Sequence, residues 1–237
     1  MMPAMRFPIH LGLVLLCVSN VFAADPLTAF ENDIRAFEAG DKTNPPPKHA
    51  LLFIGSSSIR MWNTLARDFP QRRVLNRGFG GSQISNSVYF ADRIVLPYEP
   101  AVIVLYAGGN DLNAGKSPQT VFDDYKAFVT KVRTKLPTTK IAYISIAPNP
   151  ARWEQIERIR EANRLIRDYA LKEAGLSFID MHPHMLGADG LPKPDIYLDD
   201  KLHMNTNGYA LWTKVVGEHL KTLARPRLPS RPQLLPP

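Results

Sequence analysis

Three short stretches, far apart in the chain, carry residue types that make chemical sense together: Gly55-Ser56-Ser57-Ser58, Gly108-Gly109-Asn110-Asp111 and Asp200-Lys201-Leu202-His203. The first offers a hydroxyl, the second an amide donor set among glycines, the third a carboxylate three residues before an imidazole. Those are the parts of serine-based acyl transfer: a nucleophile, a donor that polarises a carbonyl, and a base with its orienting acid. A serine hydroxyl attacks poorly unless a base takes its proton, and an imidazole with an ordinary pKa of about 6.5 suits that task near neutral pH. His203 is therefore the expected base. Asp200 is the acid expected to reach its far ring nitrogen, with Asp199 ranked behind it.

Ser57 is the best-placed nucleophile because it lies at a strand-to-helix turn, after the apolar run Leu51-Leu52-Phe53-Ile54. Ser56 and Ser58 are rivals by position, and any of the three could instead cap the helix entering Ile59-Arg60-Met61-Trp62. Asn110 and Gly81, with the backbone N–H of Ser57, are the expected oxyanion donors. Gly81 has no side chain, so its amide can come close to a substrate. The competing reading is that the glycines only shape turns and Asn110 only tolerates a left-handed backbone. Asp111 reads as a local cap. The loop from Ala147 to Trp153 follows the fourth expected strand, and Arg152 or Trp153 is expected to contact substrate, with a rigid turn as the alternative.

A scaffold must gather these residues, and the periodicity describes one. Leu27, Phe30, Ile34 and Phe37 fall at helical spacing before Asn44-Pro45-Pro46-Pro47. Strands are expected at 51–54, 74–76, 101–106, 141–146 and 177–179. Helices are expected from Ser117-Pro118 with Phe122, Tyr125, Val129 and Val132 on one face, over 154–173 with a stop at Gly175, and from near Thr206. Strands alternating with helices, and apolar on both faces, imply a parallel sheet covered on two sides. Every candidate site residue then follows the carboxyl end of a strand, where open α/β sheets place their ligand crevices. Trp62 and Trp212 fall on apolar helix faces and read as core.

Residues 1–23 read as a secretory signal peptide: Arg6 gives a positive start, 9–18 is almost wholly apolar, and Val21-Phe22-Ala23 ends in a small residue. A lipoprotein signal around Cys17 is the rival, with bulky Leu16 against it. Cleavage after Ala23 would remove Cys17, the one cysteine, so neither disulfides nor thiols would serve the exported domain. The expected location is periplasmic or extracellular, with no membrane span after signal removal. Residues 24–224 read as a single domain, and 225–237, dense in proline and arginine, as a disordered tail. Part of the net charge of +7 sits in that tail, and no stripe of basic and aromatic residues points to nucleic acid. His182 and His184 lack a third ligand at metal-site spacing, and Gly78-x-Gly80-x-x-Gln83 lacks the third glycine of a dinucleotide fingerprint. Neither a metal nor a cofactor is expected.

Gly55-Ser56-Ser57, Gly80-Gly81, Gly109-Asn110-Asp111 and Asp200-x-x-His203, in that order between Leu51 and Leu220, resemble the blocks of the SGNH (GDSL-like) hydrolase superfamily. The likeness is close to its platelet-activating-factor acetylhydrolase-like and lysophospholipase-like esterases. It implies a three-layer, flavodoxin-like α/β/α sandwich with a five-stranded, mainly parallel sheet. It puts the nucleophile on Ser57, the oxyanion glycine and asparagine on Gly81 and Asn110, and the acid and base on Asp200 and His203, with no metal. One position departs: Ser56 stands where the usual Gly-Asp-Ser block has its acid. The expectation is a secreted serine esterase forming a covalent acyl-enzyme on small-molecule, glycan or lipid esters of short acyl groups such as acetyl. The alternatives are an O-acyltransferase with the same triad, or a binding module with a dead site.

Overall fold

The computed structural model describes residues 28–224. The signal segment expected at 1–23, Leu27, and the tail at 225–237 lie outside the described residues.

The apolar runs become strands of one sheet, because residues that alternate between two faces can all be buried only where helices cover both sides. β1 (Leu51–Gly55), β2 (Val74–Gly78), β3 (Val102–Tyr106), β4 (Lys140–Ile144) and β5 (Leu176–Ile179) are all parallel, in the spatial order β2-β1-β3-β4-β5. The helices are α1 (Glu31–Thr43), α2 (Ser57–Arg60), α3 (Leu65–Asp68), α4 (Ile84–Ile94), α5 (Gly109–Asn113), α6 (Pro118–Lys135), α7 (Ile156–Ala170) and α8 (Thr206–Ala224). On one face Leu52, Ile54, Ile103, Leu105, Ile141 and Tyr143 pack with Ile34 of α1, Phe90 of α4, Phe128 of α6 and Ile166 of α7. On the other, Phe53, Val104 and Ile144 pack with Ile59 of α2, Leu65 of α3 and Trp212 and Val216 of α8. This is the three-layer α/β/α sandwich, with a core on each face of the sheet.

Most strand ends shift by a residue or two from the periodicity, and two differences bear on the site. β4 ends at Ile144 rather than 146, because the Asn163 amide of α7 takes over the backbone of Ile146: its Oδ1 accepts the N–H at 2.8 Å and its Nδ2 donates to the carbonyl at 2.9 Å. The helix expected over 154–173 is preceded by a 3₁₀ segment, Pro150–Gln155, broken at Arg152 (φ −132°, ψ 29°), and its α-helical part runs from Ile156 to Ala170. Both changes reshape the rim at the carboxyl end of β4.

The register aligns Gly55 with Gly78 of β2 and with Tyr106 of β3, so three strands end level. β1 lies between β2 and β3, where the order of winding reverses and a crevice opens above the strand ends. A helix of four residues such as α2 has little stability of its own. It is anchored by Trp62, 1% exposed, whose ring meets Phe53, Phe69 and Trp212 at centroid distances of 5.6, 5.8 and 5.8 Å. The Trp62 indole N–H donates to Asp68 Oδ2 at 2.6 Å, so this buried ring leaves no polar atom unmatched.

Candidate active site

Gly55 decides how the chain leaves β1. Its φ is +139°, and a β-carbon there would stand 1.8 Å from the Tyr106 carbonyl oxygen of β3, so only glycine fits. Ser56 follows in an extended conformation, donates its N–H to that same carbonyl at 3.0 Å, and its own carbonyl starts α2 by accepting from Ile59 and Arg60. Its side chain makes no capping bond. Ser57 is thus the first residue of α2, one of the positions whose N–H has no partner within a helix.

The Ser57 hydroxyl lies 2.9 Å from His203 Nε2, although 146 residues separate them. The other ring nitrogen, Nδ1, is 2.6 Å from Asp200 Oδ2. An ionised carboxylate only accepts, so Nδ1 carries the proton and Nε2 is free to accept from Ser57. Asp200 Oδ1 accepts the backbone N–H groups of Leu202 and His203 at 2.9 and 2.8 Å, which fixes the carboxylate before it meets the ring. These bonds, led by the imidazole, hold the Asp200 carboxyl down to about 2. The turn between them needs Lys201 in the left-handed region (φ 58°), closed by Lys201 N–H donating to the Leu198 carbonyl and Leu198 N–H donating to the His203 carbonyl. Ser56 and Ser58 line the same cleft without reaching the ring, and Asp199 borders a neighbouring groove instead.

Asn110 and Gly81 face this cleft with Ser57 and His203. Gly81 has a left-handed backbone (φ +80°), and a β-carbon there would meet nothing within 4 Å, so it is the backbone conformation rather than crowding that favours glycine. Among the described residues, no acceptor is bonded to the N–H of Ser57 or of Gly81. One N–H of the Asn110 side chain donates to the Ser82 carbonyl at 3.1 Å, and its Oδ1 accepts from Arg152 Nη1 at 3.1 Å, leaving the second N–H for another acceptor. Asp111, fully buried, does not cap its own helix: it accepts from the Ile84 N–H at the start of α4 and from Lys116 at 3.0 Å. Burial pushes its carboxyl up, with Lys116 opposing. Asn110 and Asp111 together bind the loop after β3 to the loop after β2, which carries Gly81.

The structure brings Arg152 to the Asn110 amide but turns Trp153 away, into a groove bordered by Pro192, Tyr197 and Leu198. Tyr106, Asn149, Met185 and Tyr197 also line the Ser57 cleft, whose volume is about 30 Å³. Asn149 belongs to the loop expected at this rim; sequence reasoning missed the other three, since an apolar strand end and a loop tyrosine carry no pattern of their own. Among the described residues no group of three or more His, Cys, Asp or Glu side chains is arranged to hold a metal.

The model of the GDSL-like lipase/acylhydrolase family matches residues 55–211. Among solved structures, a GDSL-like lipase from Bacteroides thetaiotaomicron is 17% identical with a TM-score of 0.69, covering 81% of this chain and 98% of that one. A carbohydrate esterase family 3 protein from Talaromyces cellulolyticus is 19% identical with a TM-score of 0.59, covering 73% and 96%. A mutant of an acetyl-xylooligosaccharide esterase from a Geobacillus species is 14% identical with a TM-score of 0.58, covering 78% and 99%. At these identities the likeness is one of fold. No curated protein matches the chain in sequence.

Proposed function

Because the chain belongs to the GDSL-like lipase/acylhydrolase family and is an ester-bond hydrolase, we propose that it works through Ser57, His203 and Asp200 on short-acyl esters outside the cytoplasm. Ser57 Oγ attacks the ester carbonyl while His203 Nε2 takes its proton. The negative charge that grows on the carbonyl oxygen is met by the N–H groups of Ser57 and Gly81 and by the spare Asn110 N–H. His203 then returns the proton to the departing alcohol, leaving an acyl group on Ser57. Water, giving its proton to His203, releases the acid and restores the hydroxyl. Asp200 holds the ring in the tautomer that both proton transfers need.

The single observation that carries this reading is the unbroken chain from Ser57 Oγ through the imidazole to Asp200, at 2.9 and 2.6 Å. Two fold neighbours named as a carbohydrate esterase and an acetyl-xylooligosaccharide esterase favour acetyl groups on carbohydrate. The apolar segment at 9–18 favours export. A fluorophosphonate probe tests the nucleophile: it should label the wild type and fail to label Ser57→Ala. Labelling that persists in Ser57→Ala would move the nucleophile elsewhere. p-Nitrophenyl esters of graded length test the acyl group, and a rate that rises from acetate to octanoate would overturn the short-acyl assignment. Free acid released without transfer to added sugar separates hydrolysis from acyl transfer.

A further inference from the structure

The Arg152 guanidinium is half-buried at the mouth of the cleft, yet its one side-chain bond among the described residues is to a neutral oxygen, Asn110 Oδ1. Among the described residues no carboxylate forms an ion pair with it. Among the other sheltered arginines, Arg77 pairs with Asp41, Arg93 with Glu31 and Glu38, and Arg133 with Glu173, while Arg72 and Arg158 each bond only to a backbone carbonyl; neither of those two borders the Ser57 cleft, as Arg152 does. A guanidinium has five N–H donors, and withdrawing one from water without a counter-charge is unfavourable. Arg60, exposed at the end of α2, borders the same groove, and among the described residues its side chain has neither a hydrogen bond nor an ion pair. Both cations lie against glycines. A β-carbon on Gly80 would stand 2.8 Å from Arg60 Nε, and one on Gly109 would stand 3.5 Å from Arg152 Nη1. The groove between them also holds Ser57, Gly81 and His203, with one carboxylate, Asp33, that pairs with neither.

Resting on the reading of this cleft as an ester-hydrolysing site, we propose that Arg152 and Arg60 form an anion subsite beside Ser57, and that the preferred esters carry a carboxylate or phosphate on their alcohol portion. The part of the cleft bordered by Ile146, Met185 and Trp212 suits the acyl group, while Arg60 stands on its open side and Arg152 borders both parts, at the junction where the alcohol portion would leave. A guanidinium fork matches either anion with two parallel bonds. The neutral Asn110 contact then has a second use: it holds Arg152 in place while most of its donors stay available.

The test compares 4-acetoxybenzoate with its neutral isostere 4-acetoxybenzamide, and both with 4-acetoxyphenyl phosphate. In the wild type at low salt, kcat/KM for an anionic ester should exceed that for the amide by about ten- to hundredfold, the range for charge-assisted pairing. Which anion gains more tells carboxylate from phosphate. The preference should collapse in Arg152→Gln, fall several-fold in Arg60→Gln, and survive in Arg164→Gln on the exposed face of α7, which controls for overall charge. A wild-type ratio near one, a ratio unchanged in Arg152→Gln, or equal loss in Arg164→Gln would overturn the proposal. Calorimetric titration with 4-hydroxybenzoate, phenyl phosphate and 4-hydroxybenzamide reads the subsite without turnover. Selective binding of an anion by protein that hydrolyses none of the esters would sink the ester reading and leave the subsite standing; no selectivity would sink the subsite.

Discussion

Replacing Asp200 by asparagine separates orientation of the imidazole from folding of its loop. Asp200 uses its two oxygens for different tasks: Oδ1 accepts two backbone N–H groups, and Oδ2 accepts the ring proton. In Asp200→Asn the amide keeps Oδ1 on the backbone, because the reverse orientation would set its NH₂ against two N–H donors. Its Nδ2 must then face His203 Nδ1, where it can only donate. The ring shifts to the tautomer with Nδ1 bare and Nε2 protonated, and Nε2 can no longer accept from Ser57. Loss of that tautomer is worth about 10⁴ in kcat in the Ser-His-Asp mechanism. Two of the three bonds at Asp200 survive, so stability should fall by only about 1 kcal/mol, about 2–4 °C in Tm for a chain of this size. Turnover of p-nitrophenyl acetate and thermal melts by circular dichroism measure both, with Asp199→Asn as a control expected to keep its activity. An Asp200→Asn enzyme retaining a tenth or more of wild-type kcat at unchanged Tm would refute the assignment of the acid.

Asn110→Ala should lower kcat by about 10²–10³ with little change in fold, the range for one oxyanion donor; an unchanged kcat removes it from that role. Gly55→Ala should destabilise the protein by about 3 kcal/mol or more, since the new carbon meets a backbone oxygen rather than a movable side chain; a melt unchanged from wild type would contradict that contact. Since Asp200 stays ionised down to about pH 2, it cannot produce an acid limb near neutrality. Because the base must be unprotonated to accept from Ser57, kcat/KM should rise with pH from acid toward neutral, and a flat profile there would count against His203 as the base. Asp200 also links stability to acid. Its carboxyl is lower folded than the ordinary value of about 3.9, so its contribution is present above pH 4 and disappears as pH falls toward 2. The difference in stability between wild type and Asp200→Asn should shrink over that window; a constant difference would contradict it.

The strands and the motifs at their ends were legible because both signals are local. A run such as Leu51-Leu52-Phe53-Ile54 can only be buried on two faces, and the glycine and serines after it mark the exit toward the crevice. Asp200 and His203 were legible for the same reason: three residues bring them together in one turn. That turn depends on a left-handed Lys201, a residue type that carries no sign of such a conformation. Nor could periodicity show the shortening of β4, because it depends on a side chain of α7 replacing a strand partner. Arg152 and Trp153 looked equivalent in the sequence. The non-helical dihedrals at Arg152 separate them, sending the cation to Asn110 and the indole to another groove.

Asn110 and Asp111 show why adjacent residues can be easy to locate and hard to interpret. In the first turn of a helix, neighbouring side chains point about 100° apart, so they cannot share one task. Asn110 turns toward Ser57, and Asp111 turns inward to the first N–H of α4, 27 residues upstream. A buried carboxylate is tolerated there because the positive end of α4 and the Lys116 ammonium both face it. Reading Asp111 as a cap identified its chemistry but not which helix it caps, since that partner is fixed only when β1 lies between β2 and β3. The loops carrying Gly81 and Asn110, the proposed oxyanion donors, are therefore held partly by a buried residue outside the cleft lining: without Asp111, only the Asn110 bond to the Ser82 carbonyl would tie them together.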